Sequence, residues 1–242
     1  MSKRRIGLSN PRAHWLAAIV LLLVILLFIS GMNQTVNNLR MVWSVSDEHE
    51  GVGELVATAR ACQTFVARYD DLNRIDVMLA DYNRRNSGPF IFYLRNAIDD
   101  EQNIASLTQD ASTVKGTAYY SFEFAPLPDS AGRSLVFCLE APQAELHNSI
   151  TIAGVLRDTY AGGQAVFRDM WGADAGVQDL DFRLGYDLAF GDKLIVLTDR
   201  LTQYKPFICG DWRFYALLGI VYLALLVKLI SKFAQPPADP EG

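Results

Sequence analysis

Residues 62–95 read CQTFVARYDDLNRIDVMLADYNRRNSGPFIFYLR, and this stretch decides the fold. Its apolar runs, 64–67, 75–79 and 90–94, alternate with polar turns. Phe65, Ile75, Val77, Leu79, Ile91 and Tyr93 fall on every second residue within their runs, the period of a half-buried β-strand. Between the last two runs, Asn86, Ser87, Gly88 and Pro89 form a dense turn signal.

The same alternation continues downstream. Tyr120, Phe122 and Phe124 share one parity before Pro126 and Pro128 interrupt them. Asp129, Ser130, Ala131 and Gly132 predict a hairpin turn into a strongly apolar strand over 134–139. Shorter strands are predicted over 150–156 and 164–167, and Phe182, Leu184 and Tyr186 alternate again. Residues 194–197 read either as a last strand or as the start of a helix. The polar segment 96–116, with Asp99, Asp100 and Glu101, predicts a solvated loop. The Gly- and Ala-rich segment 161–175, which holds Trp171, predicts a long surface loop. Short strands with turn signals about every 8–12 residues predict a mainly β fold, an antiparallel β-sandwich.

Outside this region the chain reads as membrane. Residues 1–13 form a basic tail with Lys3, Arg4, Arg5 and Arg12. Residues 14–32 then run uncharged, about eighteen residues from Trp15, the minimum for crossing a hydrocarbon core. The alternatives are an uncleaved anchor and a cleaved signal peptide, whose apolar core is shorter. Residues 33–61 read as a linker or helical stalk and 62–201 as the sandwich. A connector over 202–211 then leads to a second span over 212–233, and 234–242 form a proline-rich disordered tail. Basic residues beside both spans predict that both termini are cytoplasmic and the central domain extracytoplasmic. The net charge of −5, and the lack of clustered Lys and Arg beyond the N-terminal tail, argue against a nucleic-acid partner.

The runs QTFVA, LNRIDVMLADYNRRNSGPFIFYLR, YYSFEFAPLPDSAGRSLVFCLEAP, DTYAGGQAVF and DLDFRLGY resemble a jelly-roll ectodomain of bacterial inner-membrane proteins. Such domains occur with membrane glycosyltransferases and in small two-span proteins of unknown role. The resemblance implies a carbohydrate-binding-module-like sandwich in a bacterial envelope. It implies no catalytic residues.

Candidate sites follow from residue chemistry. Phe65 and Phe137 lie on the parity opposite Cys62 and Cys138, so if those rings face inward both cysteines point out of the core on one sheet face. They are either a cross-strand disulfide or two free thiols; Cys209 is left over. No metal is predicted, because His14, His49 and His147 lack ligand spacing. Asp169, Asp174, Asp179 and Asp181 are the best oxygen-ligand set for calcium, without the spacing of an EF-hand loop. No nucleophile elbow or phosphate loop is present, so neither an enzyme nor a cofactor is expected. Glycan binding draws on aromatic faces and on Asn, Asp and Arg. Tyr82, Asn83, Arg84, Arg85 and Asn86 place that chemistry on one turn, and Tyr160 and Trp171 supply aromatics elsewhere. If they form one site, Tyr82, Tyr160 and Trp171 rim one concave surface. The competing expectation is an accessory or structural subunit that binds an integral-membrane protein. Small residues in both apolar segments (Ala17, Ala18, Gly31; Ala216, Gly219, Ala224) permit the close helix packing this requires.

Overall fold

A computed structural model describes residues 11–32, 36–37, 49–158, 160–170, 176–202 and 205–233. These fall into two compact units: one made of Met1–Gln34 with Ala189–Gly242, the other of Thr35–Leu188.

In the second unit the strands, in chain order, are β1 (Val36–Asn37), β2 (His49–Glu54), β3 (Arg60–Val66), β4 (Leu72–Ala80), β5 (Pro89–Arg95) and β6 (Ala105–Asp110). They continue as β7 (Thr117–Leu127), β8 (Ser134–Glu140), β9 (Thr151–Val155), β10 (Ala165–Arg168), β11 (Asp179–Leu180) and β12 (Phe182–Tyr186). Every pairing is antiparallel. One sheet runs β10-β3-β8-β5-β6; the other runs β1-β12-β4-β9-β11, with β2 added on β9 and β7 on β4. The fold is thus mainly β, two antiparallel sheets packed as a sandwich.

The core follows from strand parity. Phe65, Phe90, Phe92 and Phe137 point inward from the first sheet and meet Phe122 and Phe182 from the second. Phe92 stacks on Phe122 with ring centroids 4.4 Å apart. Each fully buried ring contributes about 2–3 kcal/mol of transfer free energy. In β5 both parities are apolar, so alternation alone does not choose the inner face. Phe90, Phe92 and Leu94 take the core, while Tyr93 and Ile91 face outward.

Those outward residues cover a second, smaller cluster. Cys62 and Cys138 are directly opposite in the β3–β8 register and form a disulfide. Tyr93 and Val136 pack beside it, with Ile91, Ile98 and Val166 over the top.

Several expected loops have structure. The segment 96–116 contains β6 and a 3-10 turn, Ala111–Thr113. The stretch 129–132 makes no hairpin: β7 and β8 belong to different sheets, so this turn carries the chain across the sandwich. Pro126 sits inside β7, where it is tolerated because β7 is an edge strand. The expected stalk over 33–61 contributes β1 and β2, and Val52, Leu55 and Ala59 are buried, so the unit begins well before residue 62.

The other unit contains α1 (Pro11–Met32), α2 (Phe190–Thr202) and α3 (Trp212–Phe233). Residues 194–197 are therefore helical. By length and composition α3 is able to cross a membrane over Trp212–Leu229. Among the described residues the apolar stretch of α1 is Ala18–Gly31, shorter than a span, so the expected pair of spans meets one helix of spanning length.

The disulfide closes a separation of 76 residues, a long loop to constrain in the unfolded chain. Replacing both Cys62 and Cys138 with Ala is expected to lower unfolding free energy by about 4 kcal/mol. Denaturant titration of the full chain with and without a reducing agent checks this; an unchanged midpoint refutes it.

Candidate functional site

The turn after β4 is built from Asp81. Its carboxylate accepts the Asn83 N–H at 2.8 Å and its carbonyl accepts the Arg84 N–H at 3.0 Å. This folds Tyr82 and Asn83 into the left-handed region, at φ 50° and 58°. Asn adopts that region readily; Tyr does so only when the surrounding bonds hold it there. The Asn83 N–H, followed by that of Gly116, lowers the pKa of the Asp81 carboxyl. Gly88, at φ 96°, ends the turn and delivers the chain to β5 in the other sheet.

The residues of this turn divide sharply in their surroundings. Arg84 is committed inward: Nη1 donates to Glu54 Oε1 at 2.5 Å, Nη2 to the Ser149 carbonyl at 3.2 Å and Nε to the Asp81 carbonyl at 3.3 Å. Asn86 is buried, its Nδ2 3.5 Å from the Asp81 carbonyl. Tyr82 is 59% exposed, with the Arg84 guanidinium 5.5 Å from its ring centroid. Its hydroxyl lies over Gly51, where a Cβ would come within 2.2 Å and push the exposed Tyr82 side chain aside. Asn83 and Arg85 are exposed.

Glu54 is the electrostatic centre of this end. Burial works against its charge. The Arg84 guanidinium, the Ser149 hydroxyl at 2.7 Å and the His147 N–H at 2.8 Å outweigh it and hold the carboxyl below its ordinary pKa. Three segments of chain are thereby tied together: β2, the 81–88 turn and the 145–149 segment.

Tyr160 lies elsewhere. Its hydroxyl donates to the Val66 carbonyl at 3.1 Å and accepts the Val66 N–H at 3.0 Å. Its ring stands edge-on to Phe182, with centroids 5.5 Å apart. Val66 ends β3, just before the chain enters β4 at Leu72, whereas Tyr82 follows the exit from β4 at Ala80. A strand of that length spans about 25–30 Å, so the Tyr160 hydroxyl and Tyr82 sit at opposite ends of β4. The single concave rim is not formed by these two residues. Trp171 lies outside the described residues.

The aspartates also separate. Asp179 is buried and accepts Gln63 Nε2 at 3.1 Å and the Tyr160 N–H at 3.0 Å. Asp181, also buried, accepts the Tyr119 hydroxyl at 2.5 Å. Asp169 is exposed beyond β10, and Asp174 lies outside the described residues. Among the described residues no three His, Cys, Asp or Glu side chains group closely enough to hold a metal ion.

Two polar assemblies emerge that the sequence reading did not single out. Gln63 links the sheets: besides Asp179, its Oε1 accepts the Leu180 N–H at 2.8 Å. On the outer face of the larger sheet, Ser121, Asp76 and Arg183 form one cross-strand row, and Tyr119, Met78 and Asp181 lie next to it. Ser121 Oγ donates to Asp76 at 2.7 Å, and the Arg183 guanidinium sits 3.6 Å from the Tyr119 ring centroid. Burial, followed by the bond to Asp181, raises the Tyr119 pKa. The signal for this row was parity: Arg74, Asp76, Tyr119, Ser121, Glu123 and Arg183 all occupy the alternate positions to the core.

Compared with protein-family models and with curated proteins, the chain matches none.

The Glu54–Arg84 pair predicts a pH response. A lowered folded-state pKa contributes stability that is fully present above the unfolded carboxylate pKa and is lost as pH falls through the folded value. Arg84→Met leaves the carboxylate with its burial penalty and without its main partner. The variant is expected to lose about 2–4 kcal/mol at neutral pH and to begin acid unfolding at higher pH than wild type. Thermal melts across pH check both; superimposable acid limbs refute the assignment.

Proposed function

We propose that the chain is a non-enzymatic membrane protein of the bacterial envelope, an accessory subunit whose extracytoplasmic sandwich docks a partner protein. The observation that carries this reading is the open side of the sandwich. β6 pairs only with β5, and β7 only with β4, among the described residues. These strands are consecutive in the chain and edge different sheets, so each leaves a row of backbone donors and acceptors available to an added strand. β6 carries neither Lys nor Pro, the residues that usually block such addition.

The sandwich is read as a jelly roll. The neighbour orders β2-β9-β4-β7 and β3-β8-β5-β6 support it, because the chain alternates between sheets as that eight-stranded connectivity requires. Membrane attachment through α3 is supported by the length and apolarity of Trp212–Leu229. A second span at α1, with both termini cytoplasmic, is the topology that the basic flanks favour. The non-enzymatic reading is supported by the internal commitment of the polar groups: Arg84 to Glu54, Asp179 to Gln63 and Asp181 to Tyr119.

A second reading, an envelope glycan-binding module, draws on one observation. The Tyr82 ring is exposed on a stiff turn between exposed Asn83 and the Arg84 guanidinium, with Arg85 beside it. An exposed aromatic face with amide and guanidinium neighbours is the chemistry that holds a sugar ring.

The two readings separate in one purification. Under the subunit reading, the full chain extracted in mild detergent retains an integral-membrane partner at fixed stoichiometry. Ser106→Lys with Thr108→Lys on β6 then reduces its recovery at least about tenfold. A single species free of partner in mild detergent refutes this reading. Under the glycan reading, Tyr82→Ala weakens binding to an envelope glycan at least about tenfold, and silence of the wild type across a broad glycan array refutes it.

A further inference from the structure

The helical unit exposes an apolar surface that α3 alone does not account for. Phe207 and Ile208, in a 3-10 turn of Phe207–Gly210, are 96% and 68% exposed, and Trp212 is 55% exposed. Phe207 also takes a left-handed φ of 55°, an unusual conformation for an aromatic residue. The turn is firmly attached to the helix that follows it. Asp211 caps α3 by accepting the Arg213 N–H at 2.9 Å, and the Tyr215 hydroxyl donates to the Cys209 carbonyl at 3.0 Å.

α2 continues this surface. Phe190, Leu194, Leu197 and Leu201 recur at the spacing of one helix face. Three of them, Phe190, Leu197 and Leu201, stay more than a third exposed. At one end of α2 the Phe190 ring stands edge-on to Phe28, four residues before the end of α1. At the other, Leu201 lines an apolar groove with Tyr215 and Leu218 near the start of α3. At 1.5 Å of rise per residue, Phe28 lies about 6 Å from the end of α1, and the groove runs from about 4.5 Å in from the start of α3 at Tyr215 to about 20 Å at Leu225. α2 therefore runs from the end of α1 to the first half of α3.

We infer that α2 and the Phe207–Gly210 turn form an interfacial collar, embedded in the headgroup–acyl boundary of the bilayer that α3 crosses. This rests on the reading of α3 as a span. Covalent continuity sets the depth: Phe207 is five residues from Trp212, so once α3 enters the hydrocarbon the turn lies at the membrane surface. An amphipathic helix in that layer buries its apolar face about 5–10 Å deep, which takes in Phe28 at one end of α2 and Tyr215 and Leu218 at the other. Trp212 supplies the aromatic suited to the same layer. Lys205, 5.2 Å from the Tyr215 ring centroid, extends a cation to the headgroups. The occupant is lipid: the exposed groups are large, apolar and contiguous with the span, and a water-facing surface would leave them all unburied.

The disulfide leaves Cys209, an exposed thiol inside the turn, as the labelling site. The full chain carrying an environment-sensitive fluorophore at Cys209 is placed in phosphatidylcholine–phosphatidylglycerol vesicles. Two reference proteins, both with Cys209→Ala, carry the probe at Leu225→Cys in α3 or at Ser87→Cys on the sandwich. The Cys209 probe should be quenched by nitroxides at shallow acyl positions more than at deep ones, and its quenching by aqueous iodide should be at least about threefold weaker than at Ser87→Cys. Adding Phe207→Asp and Ile208→Asp should restore iodide access at Cys209. If Leu225→Cys is quenched by deep nitroxides while Cys209 behaves like Ser87→Cys, the collar is refuted and the span stands. If lipid nitroxides do not reach Leu225→Cys, the span reading fails and the collar with it. Iodide protection that persists in the double-Asp variant also overturns the inference.

Discussion

Everything in the sandwich depends on one interaction, the aromatic contact between the sheets. Phe92 stacked on Phe122, with Phe65, Phe137 and Phe182 closing around them, fixes which parity of each strand faces inward. A one-residue slip in β7 or β12 would turn its ring outward and bring Ser121, Glu123, Asp181 or Arg183 to the core. The outer faces are then free to differ. One carries the disulfide under a thin apolar cover, and the other carries the row of Ser121, Asp76 and Arg183. Gln63, at an inward position among these rings, is accommodated because Asp179 and the Leu180 N–H satisfy its amide.

The turn after β4 shows how a group of polar residues can look like a binding site and act mainly as a clamp. Arg84 satisfies the Glu54 carboxylate, the Ser149 carbonyl and the Asp81 carbonyl at once. A guanidinium with that many internal partners is poorly placed to hold a ligand, because releasing it would leave a buried carboxylate unpaired. What remains for recognition is what the clamp holds outward: the Tyr82 ring, with Asn83 and Arg85. A binding role for this turn would therefore be rigid, set by the strained backbone at Tyr82 rather than by side chains that rearrange.

The helical unit follows a different logic. α3 satisfies its backbone internally and presents apolar side chains all round, which suits a hydrocarbon surrounding. α2 is divided between an apolar stripe and a charged face, with Asp192 in its first turn and Arg200 in its last, signs that complement the helix dipole. A helix of that kind suits the interfacial placement inferred above, with the exposed Phe207 and Ile208 following it along the chain.

The sequence by itself determined the fold class and the positions of most strands. Period-two alternation of large apolar residues has no other stable use in segments this short. It also put Cys62 and Cys138 on outward positions of their strands if Phe65 and Phe137 face inward; the β3–β8 pairing then set them side by side. It could not choose the inner face of β5, where Phe90 and Ile91 are equally apolar. It could not reveal β6 either, because Ala105–Asp110 carries Leu107 as its only large apolar residue and so shows no alternation. Only the tertiary structure decided which residues meet. Pairing across the sandwich joined Arg84 to Glu54, 30 residues earlier, and Gln63 to Asp179, 116 residues later. The length of β4 kept Tyr82 and the Tyr160 hydroxyl apart. Local pattern reports what each residue prefers to face, but partners distant in sequence are set by strand order, which no single segment encodes.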